Sequence, residues 1–288
     1  MHFLLFSVLC SVSVGILFKI AKRYSVSFQQ VINWNYVIAI TLCYLFYQPE
    51  ISAVNANAPW PVYTILAILL PTIFLVLAAS VRHIGIVKTD IAQRFSLFIP
   101  ILIAYFVFKE AISPLKFCGL FIGFTAIFLT LYKKESRQDN QNNWLYPAIV
   151  LLGFGTIDVF FKQIASYKEI PYTTSLFVVF CGALVVSTAI TLYKTVIKKE
   201  RLNRLSLLFG VLLGLLNFGN ILFYLKAHKA LADNPSTVFA TMNFGVILLG
   251  SLVGIIVFKE KISRTNYIGI ILALIAIIVI TFSQLYTF

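Results

Sequence analysis

Charge is scarce in this chain, and acidic charge scarcest. Of 288 residues only 11% are Asp, Glu, Lys or Arg, and ten are acidic. A soluble globular domain carries about a quarter charged residues, so water is not the solvent for which this sequence is written. Groups that could do chemistry are equally thin. His83 and His228 stand alone, with no HExxH, no His–x3–His pair and no paired carboxylates. Neither a metal site nor acid–base catalysis can be assembled from that set. Cys10, Cys43, Cys118 and Cys181 lack CxxC spacing and each falls in an apolar stretch, where a lone thiol behaves as a small hydrophobe. No Walker pattern is present, which excludes ATP as a direct energy source. The expectation is a protein that is not an enzyme and holds no cofactor.

What is there is hydrophobic: 60% of the residues, with 15% aromatic. A helix needs about 20 apolar residues to cross a hydrocarbon core about 30 Å thick. Ten such stretches occur, near 3–20, 29–47, 61–81, 90–108, 114–132, 144–163, 172–193, 205–225, 235–258 and 265–285. The expected fold class is therefore all-α integral membrane, with ten transmembrane helices. Pro61, Pro114 and Pro235 sit just inside helix starts, where the missing N–H costs nothing. Asp233 and Asn234 are placed to cap the ninth span, and Ser113 and Ser263 the fifth and tenth. The gaps 48–60 and 133–143 are polar linkers, too short for a soluble domain. Lys19, Lys22 and Arg23 follow the first stretch where a cleaved signal would place small residues, so that stretch is expected to stay as a span.

The net charge of +13 comes from placement as much as from number. The loops after the odd-numbered spans hold 16 Lys and Arg, the other loops and termini six, and Arg94 lies inside the fourth span. Positive loops stay in the cytoplasm, so both termini are expected on the non-cytoplasmic side of a plasma (inner) membrane. The run KTVIKKERLNR at 194–204 then forms a collar against anionic membrane lipid. Nothing points to nucleic acid.

Two short strings, VFKEAIS at 107–113 and VFKEKIS at 257–263, nearly repeat 150 residues apart. At that offset, nine of 24 positions from Val107 onward are identical, including the charged pairs Lys109–Glu110 and Lys259–Glu260. Apolar matches are cheap in membrane segments; a charged pair and a serine in register are not. Five spans, an odd number, separate the two joints, so they emerge on opposite faces. That is the geometry of an inverted repeat: one five-helix unit over 1–132, a linker over 133–143, and a second unit over 144–288. Phe18–Lys19 and Phe161–Lys162, near the ends of the first and sixth spans, weakly agree with this. The joints would then be one hinge used once per face.

Ten spans, two halves and a Phe–charge–Glu joint before a Gly-bearing last helix resemble the drug/metabolite transporter superfamily, most closely its EamA-like ten-span branch. The resemblance implies a basket of helices around a central cavity, with the last helix of each half at the periphery. It implies substrates among amino acids, other metabolites, sugar phosphates and nucleotide sugars. The full set of basic clamps of the phosphate-binding branches is missing here, as is the first-span glutamate of the small multidrug members.

Polar residues at bilayer depth are costly and need a reason. Asp158 is the acidic residue clearly inside a span, and Lys162 shares its helical face four residues on. The two either pair with each other or serve a proton or substrate. Arg94, four residues after Asp90, could hold an anion bidentately or only pair at the helix mouth; Lys19 is an interfacial anchor or a further clamp. Asn217 and Asn220 in span eight, Asn243 in span nine, and Trp34 with Asn33 and Asn35 in span two complete the cavity candidates. Interhelical hydrogen bonding is the alternative for the amides. Pro71 and Pro100 fall mid-span and kink helices or free carbonyls there. Gly119/Gly123, Gly210/Gly214 and Gly250/Gly254 have the spacing of close helix contacts. Glu110 and Glu260 are expected to pair with the adjacent lysines Lys109 and Lys259 at the surface. The function expected is a secondary transporter, an exporter, of a small polar or amphipathic metabolite such as an amino acid, acting as a monomer or homodimer. The alternative is an antiporter of anionic sugar-phosphate or nucleotide-sugar compounds with Arg94, Lys19 and Lys162 as clamps.

Overall fold

The computed structural model describes residues 2–21, 23–24, 26–84, 86–131, 145–197, 199–259 and 263–285, and among them every regular element is a helix. In chain order these are α1 (His2–Ala21), α2 (Phe28–Tyr47), α3 (Trp60–Ile84), α4 (Ile86–Phe95), α5 (Phe98–Phe106), α6 (Pro114–Leu131), α7 (Leu145–Ser166), α8 (Tyr172–Ile197), α9 (Arg204–Ala230), α10 (Pro235–Ile256) and α11 (Arg264–Leu285). Seven of them, α1, α3 and α7 through α11, are long and apolar enough to cross a membrane, and Ile91–Phe106 and Pro114–Thr130 are shorter apolar helices. The chain is thus an integral, multi-pass membrane protein. Its outer surface agrees: Phe117, Phe121, Val185 and Ile256 are all exposed, as acyl-chain contacts require. Helix α2 has the length but not the hydropathy, because it carries Gln29, Gln30, Asn33 and Asn35. Gln29, Gln30 and Asn35 are buried, so its polarity faces protein rather than lipid.

The stretch expected as one span over 90–108 is two helices, α4 and α5, parted at Ser96–Leu97. Pro100 explains the break. It has no N–H to give the carbonyl four residues back, and its ring crowds that carbonyl, which is Ser96. The Ser96 oxygen is taken instead by the Ile99 N–H at 3.0 Å. Gly155 of α7 sits against this point; a Cβ there would lie 2.9 Å from the Ser96 oxygen. Pro71, by contrast, is carried inside an unbroken α3.

Contacts sort the helix ends into two groups. At one end the Ser27 N–H donates to Ser206 Oγ at 2.9 Å, Gln30 Nε2 donates to the Arg201 carbonyl at 2.9 Å, and Lys19 Nζ stands 3.7 Å above the Phe258 ring. Asn266 Nδ2 donates to the last carbonyls of α6, Thr130 at 2.6 Å. At the other end, the Tyr167 hydroxyl reaches the Asn57 carbonyl at 3.0 Å, and Lys162 Nζ reaches the Ala232 carbonyl at 2.7 Å.

The two joints share backbone geometry as well as letters. Lys109 and Lys259 both take left-handed conformations, with φ of 54° and 52°. Phe108 N–H bonds to Ile103 O and Phe258 N–H to Val253 O; Ser113 and Ser263 each cap the following helix at 3.2 Å. Helices α6 and α11 form the most extensive pairing in the molecule, and that pairing is reciprocal. Gly119 lies against Ile280, and Gly269 against Thr130, each pair being the other shifted by 150. Gly119 and Gly123, the latter under the Phe244 ring, therefore pack within one chain.

Gly269→Ala places a Cβ 2.5 Å from the Thr130 nitrogen, whereas Gly250→Ala meets nothing within 4 Å. Thermal unfolding in detergent is expected to show G269A destabilised by about 1–3 kcal/mol or more and G250A unchanged. Equal stability of the two variants would contradict the α6–α11 contact.

Candidate functional site

A buried polar cluster lies where α7, α9 and α10 meet the first joint. On α7, Asp158, Phe161 and Lys162 are three and four residues apart and share one face; on α9, Tyr224 and His228 do likewise. The faces meet through the Tyr224 hydroxyl, which donates to Asp158 Oδ1 at 2.9 Å. Phe161 stands edge-on to Tyr224 with centroids 6.4 Å apart. His228, 0% exposed, lies between Tyr224 and Phe239, with centroids 4.7 Å away on both sides. Neither of its ring nitrogens has a hydrogen-bond partner. An imidazole always carries at least one N–H, and leaving a buried donor bare costs about 1–3 kcal/mol.

Beside this box, the Glu110 carboxylate fastens the first joint to α10. Its Oε2 accepts the Ser236 N–H at 2.8 Å and its Oε1 the Ser236 hydroxyl at 2.7 Å. Lys116 Nζ pairs with the same carboxylate and donates to Asn234 Oδ1 at 3.1 Å. A carboxylate on the bare N–H groups of a helix start is favourable for charge and hydrogen bonding alike. This corrects two expectations. Glu110 pairs not with Lys109 at the surface but with Lys116 inside, because adjacent residues point apart and the left-handed Lys109 turns Glu110 inward. Asn234 occupies the cap position of α10 without a side-chain cap bond, since its oxygen is engaged by Lys116. Glu260, the counterpart of Glu110, lies outside the described residues. Position 266, equivalent to Lys116 at the 150-residue offset, is Asn.

A cavity of about 290 Å³ opens at the same end, lined by Pro59, Val62, Phe108, Gln163, Ile164 and Tyr167 among others. Phe108 connects it to the cluster, its ring centroid 5.8 Å from Lys162 Nζ. A narrower cleft lies between Gln29, Ile32, Pro71, Leu75 and Ser187.

The remaining candidates are distributed as follows. Asp158 and Lys162 enter the cluster but do not pair: one takes Tyr224, the other the Ala232 carbonyl. Lys19 stands over Phe258 at the opposite end of the bundle, and Arg94 is half-buried in the last turn of α4. Asn217 donates to Asn35 at 3.1 Å, tying α9 to α2; Ser7 donates to Asn220 Oδ1 at 2.8 Å, tying α1 to α9. Asn33 accepts from Ser187 and Thr188, both at 2.9 Å. Asn243 bonds back to the Phe239 carbonyl on its own helix at 3.0 Å, and the Trp34 Cβ packs where Gly210 leaves room. Among the described residues no group of three or more His, Cys, Asp and Glu gathers as a metal would require. His228 is the member that sequence reading missed. Its span was expected to end near residue 225, while α9 runs to Ala230, which carries the histidine inside the bundle.

Comparison with known proteins adds the following. The pattern of the EamA-like transporter family matches residues 1–132 and 144–282. An uncharacterized protein of Haemophilus influenzae is 39% identical over 285 residues, covering 96% of both chains. A solved crystal structure, 11% identical, superposes with a TM-score of 0.75 over 99% of this chain and 98% of its own; that likeness is one of fold.

Lys116→Met removes one partner of a buried ion pair, which typically costs about 3–5 kcal/mol. Lys109→Gly relieves a left-handed residue and is expected to leave stability unchanged or raised. Unfolding that ranks the two variants the other way round would refute the assignment of Lys116 as the partner of Glu110.

Proposed function

The chain belongs to the EamA-like transporter family, and on that premise we propose that it is a secondary transporter, an exporter of a small polar or amphipathic metabolite such as an amino acid. Counting α2 as a span and α4 with α5 as one broken span makes ten, arranged as two inverted five-helix repeats over 1–132 and 144–288 with 133–143 as linker. The matched geometry of the two joints and the reciprocal Gly119–Ile280 and Gly269–Thr130 contacts support this reading. So do the cations of the first helix of each half, for Lys19 lies over Phe258 and Lys162 near Phe108, each reaching the other half's joint. Two like units give two packings of similar energy, one open to each face.

The basic loops fall at the end that holds Lys19 and Arg201, so that end is assigned to the cytoplasm. The termini and the Asp158 cluster then face the other side of the plasma (inner) membrane. The single observation that carries the coupling assignment is the Tyr224–Asp158 hydrogen bond: a carboxyl group on one moving helix is held by a phenol on another. A proton on Asp158 weakens that bond's charge assistance and so biases the packing of α7 against α9. The anionic-substrate reading needs Lys19, Arg94 and Lys162 within one ligand's reach, and Lys19 and Lys162 stand at opposite ends.

Transport of a panel of radiolabelled amino acids into or out of proteoliposomes under an imposed pH gradient tests this. Wild type is expected to accumulate a substrate against its gradient when protons flow the opposite way, and Asp158→Asn to lose that accumulation. Full transport by D158N with unchanged pH dependence would remove Asp158 from the coupling role.

A further inference from the structure

We propose that the turn between α8 and α9, residues 199–204, is a docking site for an anionic phospholipid. Lys199, Arg201 and Arg204 are all exposed, and none of them forms an ion pair among the described residues. Glu200 is the one acidic residue of the stretch. Among these cations stands Leu202, 73% exposed, the largest value of any large hydrophobic among the described residues. Ile197 and Tyr193, one turn apart on α8, are exposed as well, as is Val196 beside them. A guanidinium calls for an anion and a leucine for hydrocarbon. A phospholipid offers both in one molecule, a phosphate for the arginines and an acyl chain for Leu202, Val196 and Ile197. A soluble phosphate compound would meet the charges and leave the apolar side chains in water, so the lipid is the better match.

The turn is held in shape before any lipid arrives. Gln30 of α2, itself buried, clasps it with both ends of one amide: Nε2 donates to the Arg201 carbonyl and Oε1 accepts the Asn203 N–H, each at 2.9 Å. Those two bonds take the backbone on either side of Leu202 and leave the Leu202 side chain outside. Next to them, Asn203 Oδ1 accepts the Leu205 N–H at 2.9 Å and so caps α9, and the Glu200 N–H bonds back to the Lys194 carbonyl at 3.3 Å. Lys199 is turned into the left-handed region, with φ of 53°. A site already ordered binds without the entropy cost of ordering a loose loop. Gln30 is therefore a positioning residue, which carries no charge and acts on the lipid through the backbone of 201–203.

Native mass spectrometry of the full chain in detergent, titrated with phosphatidylglycerol and separately with phosphatidylcholine, reads the site without any transport substrate. Wild type is expected to hold phosphatidylglycerol the more tightly. Arg201→Gln combined with Arg204→Gln should weaken phosphatidylglycerol by about thirtyfold and leave phosphatidylcholine binding as in wild type. Arg23 and Arg264 are exposed arginines at the same end of the bundle. Changing both of them to Gln removes equal charge and is expected to leave phosphatidylglycerol binding unchanged. Gln30→Leu alters no charge and should nonetheless weaken phosphatidylglycerol, with phosphatidylcholine binding retained as the sign of an intact fold. Equal losses in the two double variants would reduce the effect to the general attraction of a basic surface for anionic lipid, and would overturn the site. Wild-type affinity in the Arg201/Arg204 variant would overturn it too, as would displacement of the lipid by inorganic phosphate. Wild-type affinity in Q30L would overturn the positioning role of Gln30.

Discussion

A chain dissolved in lipid has to satisfy its polar groups from within, and most of this structure follows from that constraint. Asn35 of α2 and Asn217 of α9 bond to each other, and Asn220 and Asn33 take hydroxyls from α1 and α8, so that helices supply what hydrocarbon cannot. The Glu110 carboxylate finds a helix start, a hydroxyl and a lysine, and so ties the segment after α5 to α10 and α6 in one knot. Against this background the unsatisfied groups carry information. Gln29 borders a cleft beside Pro71, and His228 closes the aromatic box beside the larger cavity.

The two ends of the bundle are built alike but fastened differently. Both joints carry a left-handed lysine, a serine cap and a phenylalanine that meets a lysine from the far half. Yet Lys116 holds its joint by an ion pair, whereas Asn266 holds the ends of α6 and α11 together by neutral hydrogen bonds to backbone carbonyls. The family to which the chain belongs is one of membrane transporters.

Much of this was legible in the letters. The duplicated joint was visible because charge and serine in register cannot arise from apolar bias, and the serine caps followed from their place before an apolar run. Other features depended on what lies across space. Pro100 and Pro71 look alike in sequence, but one splits a helix beside Gly155 and the other is absorbed into α3. Glu110 stands next to Lys109 in the chain, and only the turn of the joint decides that Lys116 receives it. Asp158 and Lys162 have the spacing of an ion pair and are separated by better partners. His228 was hidden by the lysines around it: LKAHKA reads as the end of a span, while long basic side chains let the helix continue past the apolar run with their charges at the rim.

The account's central claim is that the two joints are one hinge placed on opposite faces. Lys109 and Lys259 are both exposed, which makes them suitable reporters once the four native cysteines are replaced. Single cysteines at these positions, probed in sealed right-side-out vesicles with a membrane-impermeant thiol reagent, give a direct reading. The claim predicts that position 109 reacts from the outside and position 259 only after the interior is opened; reaction of both from the same side would contradict it.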